Sequence, residues 1–273
     1  MRRIYAILLF VALVLVCGSL HARQSRVRLK ASRSFMLGVG ATRQLDTYLS
    51  PIVYSGPGVS LSEEYRKVLN WNDNRGTFRS FVQANVSPGK AWAGSVDCWG
   101  GSLRYDATWQ YHILAPQMGG LTLKAGGGVS ALGCGLYNLH GGNNPAQGYA
   151  QMQLLGSVTA RYQLPFRKKV QKYSLVLWYY ADLPLLGGMF SPAYGQSYYE
   201  IFERGNYDHN IVLTHPFRDF SLRQQLWIDF CPNTKSPYHL RLGFQSDIRQ
   251  AQPNHLKQQN ISNSMLIGIT KYL

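Results

Sequence analysis

Strict alternation of apolar and polar side chains recurs along this chain, and only strands with two unlike faces produce it. From 238 to 249, Tyr238, Leu240, Leu242, Phe244 and Ile248 interleave with His239, Arg241, Gln245, Asp247 and Arg249. In 149–164, Ala150, Met152, Leu154, Val158, Ala160 and Tyr162 oppose Gln151, Gln153, Ser157, Thr159 and Arg161. In 102–113, Leu103, Tyr105, Ala107, Trp109, Tyr111 and Ile113 oppose Ser102, Arg104, Asp106, Thr108, Gln110 and His112. The stretch 220–230 behaves likewise, except that Gln224 and Trp227 break the rule. Weaker strands are expected at 34–45, 58–69, 76–87, 121–136, 174–186 and 262–273.

Composition narrows the class. The chain has 273 residues, 45% hydrophobic, 13% aromatic and only 15% charged, which excludes disorder and coiled coil. A net charge of +15 points to anionic lipid, lipopolysaccharide or nucleic acid, and the low total charge with excess aromatics argues against nucleic acid. Arg2 and Arg3 precede an apolar run from Ile4 to Val16, and Leu20-His21-Ala22 offers a small residue for cleavage. Residues 1–22 therefore read as a cleaved secretory signal peptide, leaving 23–273 as a single domain. Val16 before Cys17 does not fit a lipobox. No apolar run after residue 22 is long enough for a membrane helix.

Two barrels fit the alternation: a soluble, lipocalin-like one with its apolar face inward, and a membrane one with that face outward. Strands of about 11 residues or more, aromatics such as Tyr111, Tyr162, Phe166, Phe230 and Tyr238 near strand ends, and short turns alternating with long loops favour the membrane form. The expected fold is all-β, an antiparallel up-and-down transmembrane β-barrel of 10 strands. Both termini are periplasmic, and long outer loops fall at 46–57, 88–97, 137–147, 187–218 and 250–261. A hairpin hidden in 187–218, from Tyr198 to Phe202 and from Asn210 to His215, would raise the count to 12. The last strand ends in Tyr272-Leu273, resembling the amphipathic C-terminal strands read by barrel-assembly machinery.

Asp46-Thr47-Tyr48-Leu49-Ser50-Pro51, Asn143-Asn144-Pro145-Ala146, Asp182-Leu183-Pro184-Leu185-Leu186-Gly187, Phe190-Ser191-Pro192, the run Tyr194-Gly195-Gln196-Ser197-Tyr198-Tyr199-Glu200-Ile201-Phe202, and Asp247-Ile248-Arg249-Gln250 carry a resemblance. The sequence resembles an uncharacterised Bacteroidota family of secreted, outer-membrane-type proteins classed as domain of unknown function 3316. The likeness spans nearly the whole mature chain. It implies an outer-membrane barrel and no established activity.

Chemistry-bearing residues are few. Asp208-His209, with Ser191 and Ser197 upstream, is the best Ser-His-Asp material, but adjacent Asp and His do not read as a dyad and ordinary loop composition explains them. No mature histidine stands in the His-x-Ser arrangement of outer-membrane phospholipase. Gly126-Gly127-Gly128 lacks the Lys-Ser/Thr of a phosphate loop and suits close strand contact. No metal site and no cofactor are expected.

The lumen face is expected to carry Arg79, Arg104, Asp106, Arg161, Asp182, Arg223, Asp229, Arg241, Asp247 and Arg249, as a salt-bridged plug or as a path for an anionic solute. Tyr194, Tyr198, Tyr199, Phe202 and Tyr207 on the large outer loop could form a binding surface or a lid. Cys98 and Cys134 would form a disulfide if a three-residue turn at Ala115 to Gln117 set them opposite each other, whereas a turn at Met118-Gly119 would separate them; Cys231 stays free. The function expected is a non-enzymatic outer-membrane barrel with a structural, adhesion or solute-binding role. The alternatives are an outer-membrane lipid hydrolase and a soluble periplasmic lipid carrier.

Overall fold

The structure is a computed structural model that describes residues 31–71, 74–92, 97–114, 120–141, 145–164, 173–232 and 236–273. The expected signal peptide, Phe166, Asn143 and Asn144 lie outside these residues. Eleven strands follow in order: β1 Ala31–Asp46, β2 Ser50–Leu69, β3 Gly76–Ala91, β4 Asp97–Leu114, β5 Leu121–Asn138, β6 Ala146–Gln163, β7 Ser174–Phe190, β8 Ile211–Thr214, β9 Ser221–Cys231, β10 Tyr238–Ala251 and β11 Gln258–Tyr272. Each pairs antiparallel with its neighbours, and β1 also pairs with β11, from Ser32 opposite Tyr272 to Asp46 opposite Gln258, so the sheet closes on itself.

Ten strands close the barrel. The eleventh, β8, lies against β7 where Gly187–Phe190 run beyond the partners in β9, so β8 prolongs the β9 position instead of adding one. The alternative count of 12 is thereby excluded. Its proposed hairpin does not form, because Tyr198–Phe202 is a short helix, α1, whose N-cap Ser197 and Glu200 form a reciprocal capping box.

The expected outer loops are mostly too long. The turn between β1 and β2 spans only Thr47, Tyr48 and Leu49, β3 runs on to Ala91, and β10 and β11 leave only residues 252–257 between them. Backbone pairing continues through the Gly-, Pro- and Ser-rich ends, as at Ala41 opposite Pro57, where side-chain alternation fades. All strands but β8 and β9 therefore outrun the 9–11 residues a tilted strand needs to cross a bilayer, and their ends project beyond the apolar band.

Apolar side chains face outward and polar ones inward. Phe35, Leu37, Val39, Leu103, Met152, Leu154, Leu242, Phe244, Met265, Ile267 and Ile269 are exposed, whereas Ser34, Gln83, Arg104, Asp106, Thr108, Arg241, Gln245 and Asp247 are buried. Outward positions of β5, β6 and β7 carry no charged residue. Gln224 does face outward, with its amide oxygen accepting from the Tyr179 hydroxyl at 2.8 Å, and Trp227 faces inward and is fully buried. Lys271 stays on the outer face near the strand end, 5.8 Å from the Tyr238 ring. Aromatic pairs at the terminus-bearing end, Phe78 with Trp109 and Tyr173 with Phe230, sit where an interfacial girdle belongs.

One correction and one explanation come from the β4–β5 register. Cys98 faces Asn138 and Cys134 faces Ser102, an offset of four residues, or roughly 13 Å along a strand. The disulfide expected between them is absent, and no disulfide joins Cys98, Cys134 or Cys231. The glycine run marks close strand contact, since a Cβ on Gly126 or Gly128 would stand 2.0 Å from the carbonyl oxygens of Trp109 and Ala107. Gly128→Val should therefore block closure between β4 and β5. Folded wild type should migrate differently on SDS gels before and after boiling, and the variant should show only the unfolded position after the same refolding.

Candidate functional site

Inward residues of the lumen build a layer of ion pairs across its middle. Arg241 on β10 holds Asp229 through two parallel bonds of 2.6 and 2.7 Å and reaches across to Glu64 on β2 at 2.8 Å. Arg79 on β3 binds the other oxygen of Glu64 at 2.8 Å and Asp182 on β7 at 3.1 Å. Asp182 is shared with Arg223 on β9, at 2.6 Å, and Arg223 also meets Asp106 on β4. Arg104 and Arg249 flank Asp247 at 3.2 and 3.4 Å. Gln83, Gln225 and Gln245 connect through their amides.

Aromatic rings fill the spaces between these charges. Arg66 lies 3.9 Å from the Trp178 ring centre, Arg79 4.2 Å from Tyr180 and Arg223 4.8 Å from Phe81. Met36, Phe81, Val176, Trp178, Tyr180, Trp227 and Leu266 form a buried cluster in the same layer. Charge, amide and ring thus occupy the cross-section together, as a narrow ten-stranded barrel allows.

The structure joins Arg104, Asp106, Arg223, Asp229, Arg241, Asp247 and Arg249 in this layer, and it leaves Arg161 apart. Arg161 bonds the amide oxygen of Gln163 at 3.0 Å and approaches Trp178. Glu64 and Arg66 are partners that the sequence reading missed. Glu64 meets three arginines, yet the adjacent Glu63, which faces out and pairs with Arg33, blurs the alternation that places it.

Above this layer the segment 191–210 folds over the barrel mouth. The Tyr48 hydroxyl, in the β1–β2 turn, donates to the Gln196 carbonyl at 2.7 Å; the Tyr198 hydroxyl donates to Gln147 on β6 at 2.8 Å and accepts from the Gly148 N–H; Gln258 on β11 donates to Ser191 at 3.2 Å. Ile201 of α1 is fully buried, and Asn210 ties the segment's ends through Ser191 and Gln196. Of the five loop aromatics, Tyr198 turns inward as part of this lid, and Tyr194, Tyr199, Phe202 and Tyr207 are exposed on its outer side.

Between lid and ion pairs lies a chamber, partly open to solvent, lined by Gln44, Asp46, Asn85, Ser87, Ser102, Cys134, Tyr149, Arg249, Gln258 and Asn260 among others. A smaller recess adjoins Arg104, Asp106, Arg223 and Asp247. The suspected catalytic residues do not converge. Asp208 contacts His209 at 2.7 Å with both side chains largely exposed, Ser197 caps α1, and Ser191 bonds Gln258.

The family model of proteins of unknown function DUF3316 matches residues 6–273. This chain belongs to that family. A comparison with curated proteins finds no match for this DUF3316 member. Among solved structures, the outer membrane protease OmpT of Escherichia coli is 7% identical, covering 92% of this chain and 99% of its own, with a TM-score of 0.47. The translocator domain of the autotransporter NalP of Neisseria meningitidis is 10% identical, covering 100% and 97%, with a TM-score of 0.40. Ail, the attachment invasion locus protein of Yersinia pestis, is 8% identical, covering 88% and 99%, with a TM-score of 0.31. Likenesses this distant carry no functional argument.

The lid contacts set a pH dependence. Burial pushes the Tyr198 phenol up to about 12, from an ordinary value of 10.0. Because the folded form holds this proton more tightly, its contribution is intact below about pH 10 and is lost as pH rises toward 12. Hydrogen exchange of residues 196–210 should therefore accelerate across that window in wild type. In Tyr198→Phe it should already be fast at neutral pH, at a local cost of about 1 kcal/mol, with the barrel strands unchanged.

Proposed function

We propose that this DUF3316 protein is a secreted, non-enzymatic and non-conducting barrel of the outer membrane, exported by a cleaved leader of residues 1–22, whose work is binding at the mouth that carries the 191–210 lid. One observation supports this most directly: a continuous layer of paired charges and rings fills the lumen at mid-height. A solute path would need those pairs to part, and separating even one buried pair costs about 3–5 kcal/mol. The apolar outer face supports lipid, including lipopolysaccharide, as its surroundings, and the C-terminal strand would serve barrel assembly.

The lipid hydrolase reading has less support, because the serines and the Asp208–His209 contact are separate. A soluble lipid carrier would need an apolar interior, and this one is charged. Purified protein in planar bilayers should give no unitary conductance, and incubation with phospholipid or lipid A should release no fatty acid. Steady ion channels, or fatty acid release abolished by His209→Ala, would overturn the reading.

A further inference from the structure

The chamber beneath the lid has a chemistry of its own. Gln44 and Asp46 on β1 stand opposite Asn260 and Gln258 on β11, so four inward side chains form one patch on two paired strands. Gln44, Asp46 and Gln258 are each more than nine-tenths buried. Gln44 donates its amide to Ser87, Asp46 accepts the Tyr48 N–H through one oxygen, and Gln258 donates to Ser191. Gln44 Oε1, Gln258 Oε1 and Asn260 Oδ1 each lack a hydrogen-bond partner, and Asp46 Oδ2 makes no close bond, with Gln147 beside its carboxylate. An acceptor left unmet in a buried place is costly.

The patch is also given room. A Cβ on Gly100 would stand 2.4 Å from the Gln44 amide, so glycine on β4 is what lets Gln44 lie across the chamber wall. Ser87, Ser102, Ser262, Ser264, Asn85 and Tyr149 add neutral hydrogen-bonding groups to the lining, beside apolar Leu45, Val59, Val86 and Leu136.

We propose that this chamber binds a neutral, hydroxyl-rich small molecule of the monosaccharide or disaccharide class, taken up from the lid side. Hydroxyl groups donate to the four oxygens and accept from the serines and amides beside them, which meets both kinds of lining group. A divalent cation fits poorly, because a single carboxylate serves the patch and Arg249 shares the same wall. No cluster of three or more His, Cys, Asp or Glu side chains able to hold a metal occurs among the described residues. An anion fits poorly because Arg249, the arginine of the wall, already pairs with Asp247 while Asp46 adds a carboxylate, and a lipid chain because it would leave the buried oxygens unmet. The inference rests on binding at the lidded mouth and names the ligand class.

The chamber contains its own reporter. Cys134 lies in the wall, its sulfur 3.0 Å from Arg249 Nη1, and it is partly exposed, whereas Cys98 and Cys231 are buried. The refolded full-length protein would be titrated with D-glucose, D-galactose, D-mannose, N-acetylglucosamine and lactose by calorimetry. Iodoacetamide labelling of Cys134 would be followed in parallel by peptide mass spectrometry.

At least one sugar should bind saturably and slow Cys134 labelling. Asn260→Leu, which leaves the lid contacts intact, should weaken that binding by at least about tenfold. Ser262→Phe, which fills the chamber from the other side of the patch, should abolish it, with both variants still heat-modifiable on SDS gels. The inference is overturned by no saturable binding of any of the five sugars, by binding unchanged in both folded variants, or by Ca²⁺ or choline binding in their place. Those outcomes would leave the bilayer silent and the proposed function standing, whereas conductance would refute that function directly.

Discussion

A charged side chain buried in a narrow barrel must find a partner, and that requirement organises this molecule. Five carboxylates, Glu64, Asp106, Asp182, Asp229 and Asp247, each meet at least one arginine from another strand, and several of these bonds cross the lumen. Glu64 bonded to Arg241 links β2 to β10, and Arg79 bonded to Asp182 links β3 to β7. Such bridges do not by themselves make a protein more stable than a well-packed apolar core would. Their effect is on register: a strand displaced by one residue would carry its charges to the lipid face.

The same layer divides the interior by function. Below it, toward the termini, Lys124 bonds Thr77 and Arg161 bonds Gln163, so these basic side chains meet neutral partners. Above it the walls turn to serine, asparagine and glutamine, and the strands continue past the apolar band to carry the lid. Because Tyr48, Gln147 and Gln258 anchor that lid on three separate parts of the rim, it covers the chamber by contacts that can be broken without disturbing the barrel.

Much of the architecture was legible because a strand's two faces meet different solvents. Alternation in 102–113, 149–164 and 238–249 placed Arg104, Asp106, Arg161, Arg241, Asp247 and Arg249 on the inner face, and the strand count of ten followed from the same pattern. What stayed hidden depends on relations between strands. No local pattern sets the β4–β5 register, so the position of Cys98 opposite Asn138 could not be fixed, and the Cys98–Cys134 link failed with it. Strand ends built of Gly, Pro and Ser read as loops because their pairing is carried by the backbone. The α1 helix was masked by its aromatic run, although Ser197 and Glu200 show the spacing of a capping box.

Equilibrium unfolding of Arg241→Leu in lipid vesicles by urea tests the central role of the paired layer. Removing this side chain leaves Asp229 and Glu64 buried with fewer partners, so the variant should lose about 3–5 kcal/mol relative to wild type, and adding Asp229→Asn and Glu64→Gln should restore part of that loss. A single variant as stable as wild type would show that the ion pairs are incidental to the fold and would contradict the account.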